Sequence, residues 1–322
     1  MVNRASSPSN EQMIGRRTIV KGAAWSIPVI ASAVAVPAAS ASTACQPMSV
    51  TIEATETSAA RRTVLIPADA TNIRFVVRGG SGGMSQYGGM PAVVTGTIAT
   101  AGSPMLVDLV AGQAGHPYGR PRVADGYGMG GTSVTRLNIG GVAGGSGGGA
   151  GSAILLAGNP LIVAGGGGGG GVRSGQTVPT IRTDGGNAGQ VAGDGLGAGI
   201  HGGRGANGLT PGAGGRYGTP PVGSSFQPGT VRGLDGTASA GNVGGNGGDG
   251  GGGGGGGYAG GGGGAYTIWT PPAEQHYGGG GGAGSSFVAP DARITSSLIE
   301  TLADLSPSDW DYPGTVSISW TC

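Results

Sequence analysis

Beyond Lys21 the sequence contains no lysine. That absence removes the phosphate-binding P-loop, whose lysine reaches the terminal phosphates. It also leaves no footprint of the kind that tracks nucleic acid or an anionic membrane. Histidine is almost as scarce. His116, His201 and His276 stand alone, with no second His or Cys at ligand spacing, and read as surface or turn residues rather than metal ligands. Carboxylates occur singly in loops, and Glu53 with Glu56 reads as the solvent side of a strand edge. No local constellation nominates a catalytic residue, a metal or a cofactor, so an enzyme is not expected. Long apolar runs are missing too. Residues 23–36 are only mildly apolar, alanine-rich and broken by Pro28, too short for a membrane span.

What stands in that N-terminal stretch is an export pattern. Arg16-Arg17 and Lys21 precede the apolar residues, and Ala39-Ser40-Ala41 supplies a small-x-small cleavage site. With Ile19 and Val20 between, the order resembles a twin-arginine signal, and a Sec signal with a chance Arg pair is the other reading. Either route places the mature chain outside the cytoplasm, secreted or non-covalently associated with the cell wall, since no apolar tail or wall-sorting segment follows Trp320. Removing residues 1–41 turns the net charge slightly negative, with thirteen Arg against fifteen Asp plus Glu. Cys45 and Cys322, the only cysteines, suggest a disulfide joining both ends of an exported chain. A lipidated Cys45 is the alternative, although Ser42 stands where a lipobox carries Leu.

The abundant residue is glycine: 76 of the 78 lie in the 281 residues from 42 onward. Short apolar or alternating runs bounded by Gly and Pro predict strands at 48–53, 63–66, 72–77, 92–98, 105–110 and 315–320. Residues 152–157 and 161–164 flank Gly158-Asn159-Pro160 as a hairpin. One helix is expected, over 297–305, where Ser297 and Glu300 are spaced as a capping box. From about 140 to 284 the sequence is dominated by glycine, including seven in succession at 165–171 and the eight and five of DGGGGGGGGYAGGGGGAYTIW at 249–269.

Glycine loses more entropy on ordering than any other residue, so such runs need a compensating interaction. Collagen is excluded because no strict three-residue glycine period exists. A flexible linker fits poorly, because the apolar Leu161-Ile162-Val163-Ala164 runs straight into the seven-glycine tract. The remaining solution is a bundle of threefold polyglycine II helices, packed closely enough to hydrogen-bond to one another. It predicts glycine rods joined by turns of ordinary composition, here 172–184, 210–242 and 265–277, with Tyr258-Ala259 as a short joint between two adjacent rods. Template matches mean little at this composition. GxGxxG arises by chance about five times, and GGNGGD at 244–249 starts a calcium-binding nonapeptide that is not continued.

FVVRGGSGG at 75–83, GAGSAILL at 149–156 with LIVAGGGGGGG at 161–171, and GGGGGAGSSFV at 278–288 carry a resemblance. They are similar to the glycine-rich extracellular domain of anaplastic lymphoma kinase and leukocyte tyrosine kinase, which also occurs in bacterial secreted proteins. The match covers roughly residues 63–288, without any kinase, transmembrane or growth-factor-like module. The resemblance implies a mainly β fold: a β-sandwich-like framework carrying polyglycine II helices, as in phage tail adhesins that bind receptors through loops at the helix tips, with little α-helix. The expected organisation is a signal at 1–41, the N-terminal part of the framework at 42–139, the glycine-rich region with its central hairpin at 140–288, and a closing segment with the last strand at 289–322.

The most loaded loop follows the five-glycine run. Tyr266, Trp269, His276 and Tyr277 offer flat amphipathic faces there, stiffened by Pro271-Pro272. They are candidates for binding an extracellular glycan or protein, or else they pack over the framework and shield glycine backbone from water. The expectation is a secreted, non-catalytic binding or adhesion module, with a passive structural protein of the cell envelope as the alternative. A folded glycine core predicts slow amide hydrogen exchange over residues 250–257, measured by mass spectrometry, whereas a disordered coat predicts exchange at the rate of an unprotected chain.

Overall fold

In a computed structural model of the chain, thirteen β-strands and no α-helix occur among the described residues. Those residues are 45–83, 88–117, 122–133, 144–172, 183–197, 202–216, 225–226, 233–237, 242–248, 250–270, 275–302 and 312–322, with backbone alone for 225–226, 268–270 and 275–276. Residues 44–322 form one unit. The signal-like residues Arg16, Arg17, Lys21, Ala39 and Ala41 lie outside the described residues.

Two five-stranded antiparallel sheets face each other. One holds β1 (Met48–Glu53), β13 (Thr315–Thr321), β3 (Thr71–Arg78), β4 (Ala92–Ile98) and β12 (Ile294–Thr301) in that spatial order. The other holds β11 (Phe287–Val288), β7 (Asn159–Ala164), β6 (Ser152–Leu156), β5 (Met105–Ala111) and β2 (Ala60–Ile66). Alternation decides which face turns inward. Ile73, Phe75 and Val77 are buried on β3 while Arg74 and Val76 are exposed, and Val316, Ile318 and Trp320 alternate likewise on β13. Together with Val107, Leu109, Ile154 and Ile162 from the facing sheet they form one apolar core, the interior of a β-sandwich.

The chain ends meet at one end of this sandwich. Cys45 and Cys322 are disulfide-bonded across a separation of 277 residues, with Cα atoms 5.6 Å apart. In the chain-entropy model so long a loop is worth up to about 5 kcal/mol. Met48 pairs with Trp320, whose indole N–H donates to the Gln46 carbonyl at 3.0 Å. The tight β6–β7 turn lies at this end, with Ala157 and Gly158 both at positive φ (50° and 78°), the geometry that matches strand twist.

At the opposite end β1 turns into β2 through residues 54–59, while six other strands continue into or out of glycine rods. Residues 79–83 follow β3, 112–117 follow β5 and 165–172 follow β7, while 88–91, 144–151 and 278–286 lead into β4, β6 and β11. Their hydrogen bonds repeat every third residue. Gly166, Gly169 and Val172 donate to Gly256, Gly253 and Gly250, and Gly168 and Gly171 donate to Gly186 and Thr183. Gly284, Gly281 and Gly278 in turn donate to Gly166, Gly169 and Val172. Three residues per turn is the period of polyglycine II.

Rod 165–172 is bonded to six others: 79–83, 88–92, 144–151, 183–189, 250–257 and 278–286. Rod 250–257 also has six partners, and so do 259–265 and 278–286. This is a hexagonal array in which glycine backbone replaces side chains as the core. Close approach is what makes it possible. A Cβ added at Gly168 would lie 2.0 Å from the Gly281 carbonyl oxygen, at Gly254 2.0 Å from Gly261, and at Gly281 2.1 Å from Gly253. The hydrogen in the place of each missing Cβ points at a carbonyl, a weak C–H···O contact that adds to the N–H···O bonds. Alanine occurs where there is room. Ala188 and Ala283 belong to the apolar core shared with the sandwich.

The expected helix over 297–305 is a strand where it is described. β12 pairs with β4 along its length, Ser297 opposite Gly96 and Glu300 opposite Val93. The edge of β4 offers a ladder of backbone partners, which outweighs a local capping pattern. β12 is approached through Asp291, which accepts bonds from the Arg293 guanidinium and backbone N–H, and these lower its carboxyl pKa to about 2.

The joint expected over 210–242 contains two further rods, 211–216 and 233–237, bonded to 259–265 through Gly212 to Gly260, Gly215 to Gly263 and Gly263 to Leu234. On such outer rods some positions face away from the array, so Leu234 is tolerated there and is exposed.

Gly254→Ala should cost about 3 kcal/mol or more, because backbone on neighbouring rods has to move. Gly147→Ala, whose Cβ would meet nothing closer than 3.3 Å, should be near neutral. Thermal unfolding of both variants checks the contrast.

Candidate functional site at the distal end of the bundle

The rods run alternately away from and back toward the sandwich, so the turns between them sort to two ends. Connections near the sandwich are short, among them 207–210 and Tyr258. Residues 172, 183, 197, 202, 216 and 233 are rod ends at the distal end, and so are Tyr266 and Tyr277, where the aromatic segment leaves and rejoins the rods.

The aromatic segment read as a loop is a hairpin. β9 (Tyr266–Thr270) pairs antiparallel with β10 (Gln275–Gly278), and β8 (Ser225–Phe226) adds a third strand on the other side of β9. The alternation in YTIWT suits a strand once a partner is present. Tyr266 and Tyr277 are buried, at 6% and 4% exposure. The Tyr266 ring packs with Val172 over the end of rod 250–257, where a Cβ on Gly250 would fall 2.7 Å from the ring and 2.5 Å from Val172. Trp269 pairs through its backbone with Gln275 and Phe226, and His276 with Ile268; the side chains of Trp269 and His276 lie outside the described residues. The structure thus brings all four candidates into one hairpin and buries the two tyrosines at its base.

Tyr258, expected as a joint, makes the turn between rods 250–257 and 259–265, which are bonded through Gly261 to Gly255 and Gly264 to Gly252. Its ring stacks on Phe287 at 3.9 Å and 7°. Tyr127 lies close by. Burial raises its pKa, the neighbouring Tyr258 adds to this, and a hydrogen bond with Asn242 opposes it. This cluster sits at the sandwich end of the rods and closes the junction rather than the distal face.

Sequence reading also missed how the array stops. Backbone N–H groups without a further rod are met by side chains: Asn187 accepts from Met90, Asp194 from Gly205, Asp235 from Gly214 and Asn246 from Thr132. Leaving such a donor unpaired in a buried setting costs about 1–3 kcal/mol. Single Asn and Asp residues interspersed among glycines are the signal that could have found them.

Among the histidines, His201 lies outside the described residues. His116 lines a hollow of about 330 Å³ with Glu56, Arg122 and Pro313 on the flank of rod 112–117. Among the described residues no three of His, Cys, Asp and Glu form a cation site, and no helix is long and apolar enough to cross a membrane. No protein-family model and no curated protein matches this chain.

Removing the ring of Tyr266 uncovers Gly250 and Val172 together. Tyr266→Ala should destabilise by about 3 kcal/mol, read as a fall of several degrees in melting temperature and faster exchange at Gly250 and Gly251.

Proposed function

We propose that the mature chain is a secreted, non-catalytic binding or adhesion module, a bacterial version of the glycine-rich extracellular domain it resembles. It presents the distal end of its bundle, with the aromatic hairpin, to an extracellular glycan or protein. The observation that supports this reading most is the sorting of the chain. The strands and the disulfide lie at one end, and the aromatic hairpin, seated on the ends of rods 165–172 and 250–257, lies at the other. Recognition residues concentrate on loops held by an ordered scaffold, and a glycine array is a scaffold with few side chains of its own to offer. The proposal assigns no catalytic group, cofactor or metal. Localisation outside the cytoplasm is part of it, supported by the signal-like residues 1–41 and by a disulfide suited to an oxidising compartment.

Within the hairpin, Trp269 and His276 carry the contact, while Tyr266 and Tyr277 hold the hairpin on the rods. The test uses the disulfide-closed mature protein on intact cells and on glycan and secreted-protein panels. Saturable binding is expected, and Trp269→Ala should weaken it at least about tenfold with the melting temperature unchanged. If the protein binds nothing, or if Trp269→Ala and replacement of each distal connection by Gly-Ser leave binding intact, the passive structural reading stands instead.

A further inference from the structure

We propose that a cleft on the distal flank of the bundle, between residues 194–197, 202–204 and 213–216, is a subsite for an acidic saccharide and takes its carboxylate or sulfate group. The inference rests on the adhesion reading and gives it a ligand class. The cleft encloses about 490 Å³ and is lined by Asp194, Leu196, Arg204 and Arg216 over a floor of glycine backbone. That volume falls in the range of small-ligand sites.

Charge decides the class. Asp194, the one carboxylate lining the cleft, is engaged on both oxygens: one takes the Arg204 guanidinium and the other the Gly205 N–H at 2.9 Å. The carbonyls of Leu196, Arg204 and Ala213 are taken by the amides of Gly280, Gly262 and Arg204. Cationic donors remain. Among the described residues Arg216 has no ion pair or hydrogen bond, the amides of Gly197 and Gly202 have no acceptor, and Arg204 keeps N–H groups beyond the one on Asp194.

A ligand that fits must bring acceptors, and an anion brings the strongest. Sugar hydroxyls accept as readily as they donate. The glycine floor has no side chains to hold a sugar ring away from the backbone, and Leu196, 42% exposed, offers an apolar edge beside it.

Binding of the secreted, disulfide-closed protein to polygalacturonate, dextran sulfate, neutral dextran and poly-glutamate tests this, read by biolayer interferometry at physiological salt. One or both anionic polysaccharides should bind and neutral dextran should not. Arg216→Gln should weaken binding about tenfold or more, whereas Arg122→Gln, an exposed arginine outside the cleft, should leave it unchanged. Equal loss in the two variants, equal binding of neutral dextran, or absence of binding to either anionic polysaccharide overturns the assignment. Poly-glutamate binding as tightly as polygalacturonate overturns the saccharide class. If the cleft fails while Trp269→Ala still abolishes binding to cells, the adhesion reading survives and only this subsite is lost.

Discussion

Every level of this structure depends on one close approach: the carbonyl oxygen of one rod stands where its neighbour's Cβ would be. At Gly168, Gly252, Gly254 and Gly264 the separation is 1.9–2.0 Å. An interior of ordinary side chains gains stability from apolar area removed from water. The interior of this bundle has almost no such area and relies on N–H···O and C–H···O contacts in six directions. The entropy lost by each ordered glycine must be offset by these contacts, and they exist only when all neighbouring rods are in place. Removing one rod would orphan donors and acceptors on up to six others.

That interdependence explains the presence of the sandwich. A lone polyglycine helix has no internal hydrogen bonds, so an array of them cannot start from one rod. Here the strands β3, β4, β5, β6, β7 and β11, joined by a conventional apolar core, deliver the first rods already aligned. The array then grows outward to 202–206, 211–216 and 233–237. It is terminated by Asn187, Asp194, Asp235 and Asn246, whose side chains supply the acceptors that a further rod would have supplied.

Much of this was legible in the sequence, and the misses have physical causes. The strands of the sandwich announced themselves by alternation, and the terminal cysteines by their position. Rods 165–172, 250–257 and 259–265 were visible because central rods tolerate almost nothing but glycine. Rods 211–216 and 233–237 were hidden, because outward positions on an edge rod accept Leu234 or Asp235 and dilute the pattern. β12 was misread as a helix because Ser297 and Glu300 satisfy a local rule, while its partner β4 lies two hundred residues earlier. Tyr266 and Tyr277 could be picked out as unusual, but chemistry alone cannot tell a ring that caps glycine backbone from one that meets a ligand. The distal cleft had no sequence signal, since Asp194, Arg204 and Arg216 converge only when three rods lie side by side.

The threefold bonding period has a consequence for how such a protein can change. Each residue of rod 165–172 addresses one fixed neighbour, and the same neighbour is met again three residues later. Insertion or deletion of one or two residues within a rod would rotate every later amide toward the wrong partner. A change of three preserves the phase and alters height by one turn, about 9 Å at 3.1 Å per residue. The connections obey no such rule. Bundle height can therefore vary only in discrete steps, while its distal surface is free to vary one residue at a time.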